Sequence, residues 1–98
     1  MDKIYNLIGL AMRARKVISG EELMDAIRKK RVSLVIVAED ASENTKKRYS
    51  DKCSFYDVDL IMIESSERLN QAIGKSNRMA VGICDEGFKK SIMKCWKG

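Results

Sequence analysis

Ninety-eight residues, 45% of them hydrophobic, hold enough apolar material for one packed core and predict a single domain over 1–98. Lys and Arg outnumber Asp and Glu by 19 to 14, a net charge of +5, so nucleic acid is the expected partner class for a small basic chain. With no histidine and three cysteines (Cys53, Cys84 and Cys95) in no CxxC pair, the common zinc patterns and most His-dependent hydrolase and transferase templates are excluded.

The opening, Met1 to Asn6, lacks the charged-then-apolar pattern of a signal peptide. The longest strongly apolar run, Leu34-Val35-Ile36-Val37-Ala38, is far too short to cross a membrane. Both observations, with cysteines read as reduced thiols in or near the core, predict a cytoplasmic protein.

Residues 3–15 place Ile4, Leu7, Ile8 and Ala11 on one face of an amphipathic helix. After a short extended piece, Val17-Ile18, the run Ser19-Gly20-Glu21-Glu22 predicts a second helix opened by a capping box between Ser19 and Glu22. That helix carries Leu23, Met24, Ala26 and Ile27 and ends in Arg28-Lys29-Lys30-Arg31. Leu34 to Ala38 predicts a strand buried on both faces, ended by Glu39-Asp40. Ser42 is the expected cap of a third helix reaching Tyr56, followed by a strand from Asp59 to Ile63. Ser65 or Ser66 opens a fourth helix, which Gly74 stops. Met79 to Cys84 predicts another buried strand, and a final helix runs from Glu86 to Trp96. Helices alternating with strands predict an α/β fold, a three-layer α/β/α sandwich.

Eleven basic residues fall in three clusters: Arg13, Arg15, Lys16; Arg28 to Arg31; and Lys46, Lys47, Arg48, Lys52. Taken singly, each also reads as a solvated helix face or as charge complementing a helix C-terminus. The segment from Arg13 to Glu22 joins the first cluster to a helix start, where free backbone N–H groups favour anions and Gly20 permits close backbone approach. Glu21 and Glu22 oppose a phosphate there, but a carboxylate accepts hydrogen bonds from base N–H groups and reads an exposed base edge. For Glu22 the capping box is an equal alternative, and the two roles are compatible. Only six aromatic residues occur and none lies in a basic strand motif, which argues against a base-stacking platform and for structured RNA.

Catalytic signals are weak. Glu39-Asp40 and Asp85-Glu86 each follow a strand, so one acid from each is a candidate dyad across the sheet edge. Helix capping is the competing reading. The phosphate-cradling glycine motifs are absent from the sequence.

The run Leu34 to Ser42, preceded by the Ser-Gly-Glu-Glu helix start, resembles the ribosomal L-seven-Ae/L-thirty-e family of kink-turn RNA-binding proteins. Gly9 to Lys16, Asn44-Thr45-Lys46-Lys47, Asp51-Lys52-Cys53, Ile73-Gly74-Lys75 and Asp85-Glu86-Gly87-Phe88 narrow the resemblance to the short bacterial, YlxQ-like branch, over residues 4–93. The resemblance implies a four-stranded mixed sheet between helices. It implies binding to the kink-turn of ribosomal or other non-coding RNA, by a monomer, without catalysis, metal, cofactor or membrane. It assigns recognition of tandem sheared G·A pairs to Ser19, Gly20, Glu21 and Glu22, with Lys29 on the same helix. The loop Lys75 to Met79 would cover a flipped-out nucleotide, with Arg13, Lys16, Lys29 and Arg78 on phosphates. Three departures from the family pattern stand out: Glu21 replaces an Asn, Asp25 replaces a Lys, and the loop Lys75-Ser76-Asn77-Arg78 is polar where the strongest binders are apolar, which together predict weaker or narrower kink-turn affinity. Glu21 and Asp25 are also the best evidence for the alternative expectation, a protein–protein adaptor with this fold and little RNA affinity.

Overall fold

Strand β2 (Leu34–Ala38) is buried at every position, and the sheet is built around it. In the computed structural model, which describes residues 2–97, β2 runs parallel to β3 (Asp59–Ile63) and antiparallel to β4 (Ala80–Ile83). The far side of β4 takes β1 (Val17–Ser19) antiparallel, giving the order β1-β4-β2-β3. Alternation along the strands divides the core between the two faces. Leu34, Ile36, Ile61, Ile63, Val81 and Ile83 meet Ile4 and Ile8 of α1 (Asp2–Arg13), Leu69 and Ile73 of α4 (Ser66–Ile73), and Ile92 of α5 (Glu86–Lys97). Val35, Val37 and Ala80 meet Leu23, Ala26 and Ile27 of α2 (Glu22–Arg28) and Cys53 of α3 (Glu43–Tyr56). The fold is the expected α/β/α sandwich on a mixed four-stranded sheet.

Local chemistry sets most helix ends. Ser42 Oγ accepts the Thr45 N–H at 3.1 Å, and Ser65 Oγ accepts the Arg68 N–H at 3.1 Å, which makes Ser65 rather than Ser66 the cap of α4. Ser66 instead donates its N–H and hydroxyl to the Asp40 carboxylate, at 3.0 and 2.7 Å. Those bonds, the hydroxyl's first, hold the Asp40 carboxyl below its ordinary range.

The expected capping box does not form. Ser19 is the last residue of β1, paired with Val81, and the residue before α2 is Glu21, helical in conformation and without a side-chain cap bond. Gly20, at φ 76°, turns the chain, and its carbonyl accepts the Leu23 N–H at 3.1 Å. Sheet pairing holds Ser19 two residues before the cap position, too early to reach the helix. The second helix also stops at Arg28, and β4 is shorter than the expected 79–84.

Helices α1 to α4 end on left-handed residues: Arg15 (φ 61°), Lys30 (φ 56°), Asp57 (φ 58°) and Gly74 (φ 68°). At each, the next N–H reaches back five residues, Lys16 to Ala11, Arg31 to Ala26, Val58 to Cys53 and Lys75 to Asn70. Three of the four positions are filled by residues with a Cβ, which strains them. Replacing Lys30 by glycine is therefore expected to raise stability by about 0.5–1 kcal/mol in urea unfolding.

The described cysteines are free thiols; Cys53 is buried, and Cys84 and Cys95 are half-buried. Burial pushes the Cys53 thiol from 9.0 up to about 11. Because the folded value is raised, this contribution is complete below pH 9.0 and is lost as pH rises toward about 11. Urea midpoints measured across that window should fall for the wild type and fall less for Cys53→Ala.

Candidate nucleic-acid interface

The register places two of the segments of interest side by side. Ser19 pairs with Val81, so the turn from Ser19 to Glu22 leaves β1 where the loop from Lys75 to Met79 enters β4. The Arg78 guanidinium lies over the turn: a Cβ on Gly20 would stand 3.5 Å from both its Cζ and its Nε. Its Nε is buried and has no hydrogen-bond partner. Glu21, Glu22 and Lys75 are exposed around this junction, and Met79 is 38% exposed.

Asn70 fixes the loop. Its Oδ1 accepts the Arg78 N–H at 3.0 Å, and its Nδ2 donates to the carbonyls of Arg78 (2.9 Å) and Ser66 (2.7 Å). Asn77 holds a positive φ of 59°, which Asn tolerates better than most residues. Between α4 and the loop lies an open cleft of about 470 Å³, lined by Asn70, Gln71, Lys75, Asn77 and Met79 among others. Sequence reasoning passed over Asn70; its signal was a polar residue between Leu69 and Ile73 on a helix with a buried stripe.

The remaining site residues lie elsewhere. The Lys16 carbonyl accepts the Cys84 N–H at 2.8 Å, at the opposite end of β4 from Gly20. Arg13 ends α1 and lines a groove between α1 and α4 with Tyr5, Gly9 and Arg68. Lys29 caps the C-terminus of α2 rather than lying within it, and its ammonium pairs with Asp25 at 3.1 Å. Asp25 also pairs with Arg28, and the hydrogen bonds from Lys29 and then Arg28 hold its carboxyl below its ordinary range. The anion expected to face RNA is thus compensated within its own helix.

The candidate acid dyad does not assemble. β2 and β4 are antiparallel, so Glu39-Asp40 and Asp85-Glu86 lie at opposite ends of the sheet. Asp40 binds Ser66, and Asp85 Oδ2 accepts the Phe88 N–H at 2.9 Å, opening α5. Among the described residues no three His, Cys, Asp or Glu side chains gather as metal ligands, and no helix is long and apolar enough to cross a membrane.

A glycine turn and an asparagine-pinned loop, joined at one end of a mixed sheet, define a small α/β/α protein with an open polar platform. The chain belongs to the Ribosomal protein L7Ae/L30e/S12e/Gadd45 family, which it matches over residues 2–93. It is 46% identical over 90 residues to the RNA-binding protein YlxQ of Bacillus subtilis, covering 91% of this chain and 90% of that one. To the RNA-binding protein YlxQ of Enterococcus faecium it is 50% identical over 97 residues, covering 98% and 93%. Among solved structures, a protein of unknown function from Bacillus halodurans superposes with a TM-score of 0.91 at 36% identity, covering 98% of both chains. The Giardia lamblia 15.5kD RNA binding protein shares the fold at a TM-score of 0.76 and 19% identity, over 92% of this chain and 78% of that one.

Proposed function

We propose that this protein binds structured RNA without catalysis, and that its target motif is the kink-turn. The observation that carries the reading is the junction of Gly20 with Arg78. It puts a guanidinium whose Nε lacks a partner over the glycine that immediately precedes two exposed acids, Glu21 and Glu22. Carboxylates at a close-approach glycine suit the N–H edges of purine pairs, and the guanidinium suits a phosphate or base acceptor. The cleft between α4 and the loop, with the Met79 side chain at its edge, suits an unstacked base. The curated relatives named as RNA-binding proteins support the same reading.

The test is a titration against a fluorescent kink-turn hairpin, beside a control lacking the G·A pairs, at two salt concentrations. Salt-sensitive binding to the kink-turn alone is expected. The double variant Glu22→Ala, Arg78→Ala should lose about 1–3 kcal/mol per contact removed, roughly tenfold to a hundredfold each, and with it the preference for the kink-turn. Tight binding that survives both changes would refute the site. Equal weak binding of wild type to both RNAs would leave the adaptor reading ahead.

A further inference from the structure

The end of the sheet away from Gly20 carries its own concentration of charge. Lys16 accepts the Cys84 N–H through its carbonyl, and the Ser33 N–H donates to the Ile83 carbonyl at 2.7 Å. The segments before β1 and before β2 therefore flank the last residue of β4 from either side. Those two backbone bonds bring Lys16 and Arg31, which precede β1 and β2, to the same end of the sheet, and both cations bear on the half-buried Cys84 thiol there. Arg15 and Lys30 are the neighbours of these two residues, and all four side chains are exposed.

Several other cations of the molecule are neutralised nearby: Arg28 and Lys29 by Asp25, Lys46 by Glu43, and Lys89 by Asp59. Arg15, Lys16, Lys30 and Arg31 have no ion-pair partner among the described residues. The acids at this end are turned to other work or lie at the β3 edge. Asp85 holds the Phe88 N–H, Asp59 holds Lys89, Glu86 bears on Lys89, and Asp57 ends α3. The backbone adds a second, independent observation. Arg15 and Lys30 both occupy left-handed positions where glycine is the less strained residue, yet each carries a long cation.

We propose that Arg15, Lys16, Lys30 and Arg31 form a second phosphate-binding surface, which grips the backbone of an RNA helix other than the one held at the Gly20–Arg78 junction. That this surface is an additional one rests on the kink-turn reading above; the surface itself does not. Four exposed cations without ion-pair partners among the described residues match a polyanionic backbone, recognised by charge and shape. Lys16 and Gly20 are four residues apart along a strand and its turn, roughly 13 Å at the usual rise. Two RNA segments thus approach opposite ends of one sheet, and the protein acts as a clamp between them.

The experiment uses the full chain saturated with unlabelled kink-turn hairpin and titrated with a fluorescent RNA duplex of about 16 base pairs lacking G·A pairs. The wild type should bind the duplex without releasing the hairpin. The variant Arg15→Gly, Lys30→Gly, Arg31→Gln should bind it about tenfold or more weakly, with the log–log salt slope reduced by about two to three. Its hairpin affinity should stay within about twofold of wild type. Because both glycine changes relieve strain, folding should persist; if it does not, the double variant Arg15→Gln, Arg31→Gln makes the same comparison. Unchanged duplex affinity, duplex that displaces the hairpin, or an equal loss on the hairpin would each overturn the proposal. If the hairpin does not bind at all, the kink-turn reading fails, and the duplex titration without hairpin still decides the surface.

Discussion

Replacing Gly82 by alanine is expected to destabilise the protein by about 2–3 kcal/mol, a large share of the roughly 5–15 kcal/mol typical of a domain this size. Gly82 lies inside β4, opposite Val35 on one side and Ile18 on the other. A Cβ there would come within 2.6 Å of Leu23 Cδ1, 2.7 Å of Val32 Cγ1 and 3.3 Å of Val32 Cβ. Leu23 is fully buried, and Val32 is both buried and β-branched, so neither side chain has an easy rotamer to retreat into. The added methyl group must push α2 away from the sheet. Since α2 begins at the Gly20 turn, kink-turn affinity should weaken together with stability, and Gly82→Val should leave no cooperative unfolding transition at 37 °C. Urea unfolding of Gly82→Ala alongside Gly87→Ala, an exposed glycine near a helix start, provides the contrast: there a Cβ meets only the Asp85 carboxylate oxygen, at 3.1 Å, and the cost is expected to be about 1 kcal/mol or less.

Asn70→Ala is expected to cost about 2 kcal/mol and to weaken kink-turn binding about tenfold. Its amide makes three hydrogen bonds, and two of them satisfy the backbone of Arg78. Truncation strands that N–H and carbonyl in a half-buried position and releases the loop that carries Arg78 and Met79. The Asn70→Asp variant discriminates the two effects. It keeps an acceptor for the Arg78 N–H but loses the donor to the carbonyls, so its stability should fall between alanine and wild type. A variant that loses stability while retaining full affinity would show that the loop's position does not matter for RNA.

Both residues bear on the same junction from different sides. Gly82 lets α2 sit close enough for Gly20 to lie under Arg78, and Asn70 holds Arg78 there. Removing a contact residue should change affinity with little change in stability, whereas these two supporting residues should change both.

Much of this molecule is legible in the chain itself, because the determinants are local. The β-branched run from Leu34 to Ala38 has no stable place except between two layers, and the helical spacing of Ile4, Leu7, Ile8 and Ala11 leaves a single apolar stripe to bury. Ser42, Ser65 and Gly74 act within one turn of their own helices, so their roles follow from sequence position. The segments that meet RNA in the proposed function are visible too, as a glycine between acids and a polar loop before the last strand. Only the tertiary structure decided how they are used. Sheet pairing took Ser19 into β1 and cancelled its capping box. The antiparallel course of β4 brought Arg78 over Gly20, sent Lys16 to the other end of the sheet, and separated the two acid pairs. Ion pairing within α2 absorbed Lys29 and Asp25. Local spacing specifies elements through bonds that span a few residues. Which side chains share a surface depends on strand order and direction, which pair residues tens of positions apart and which no window of sequence contains.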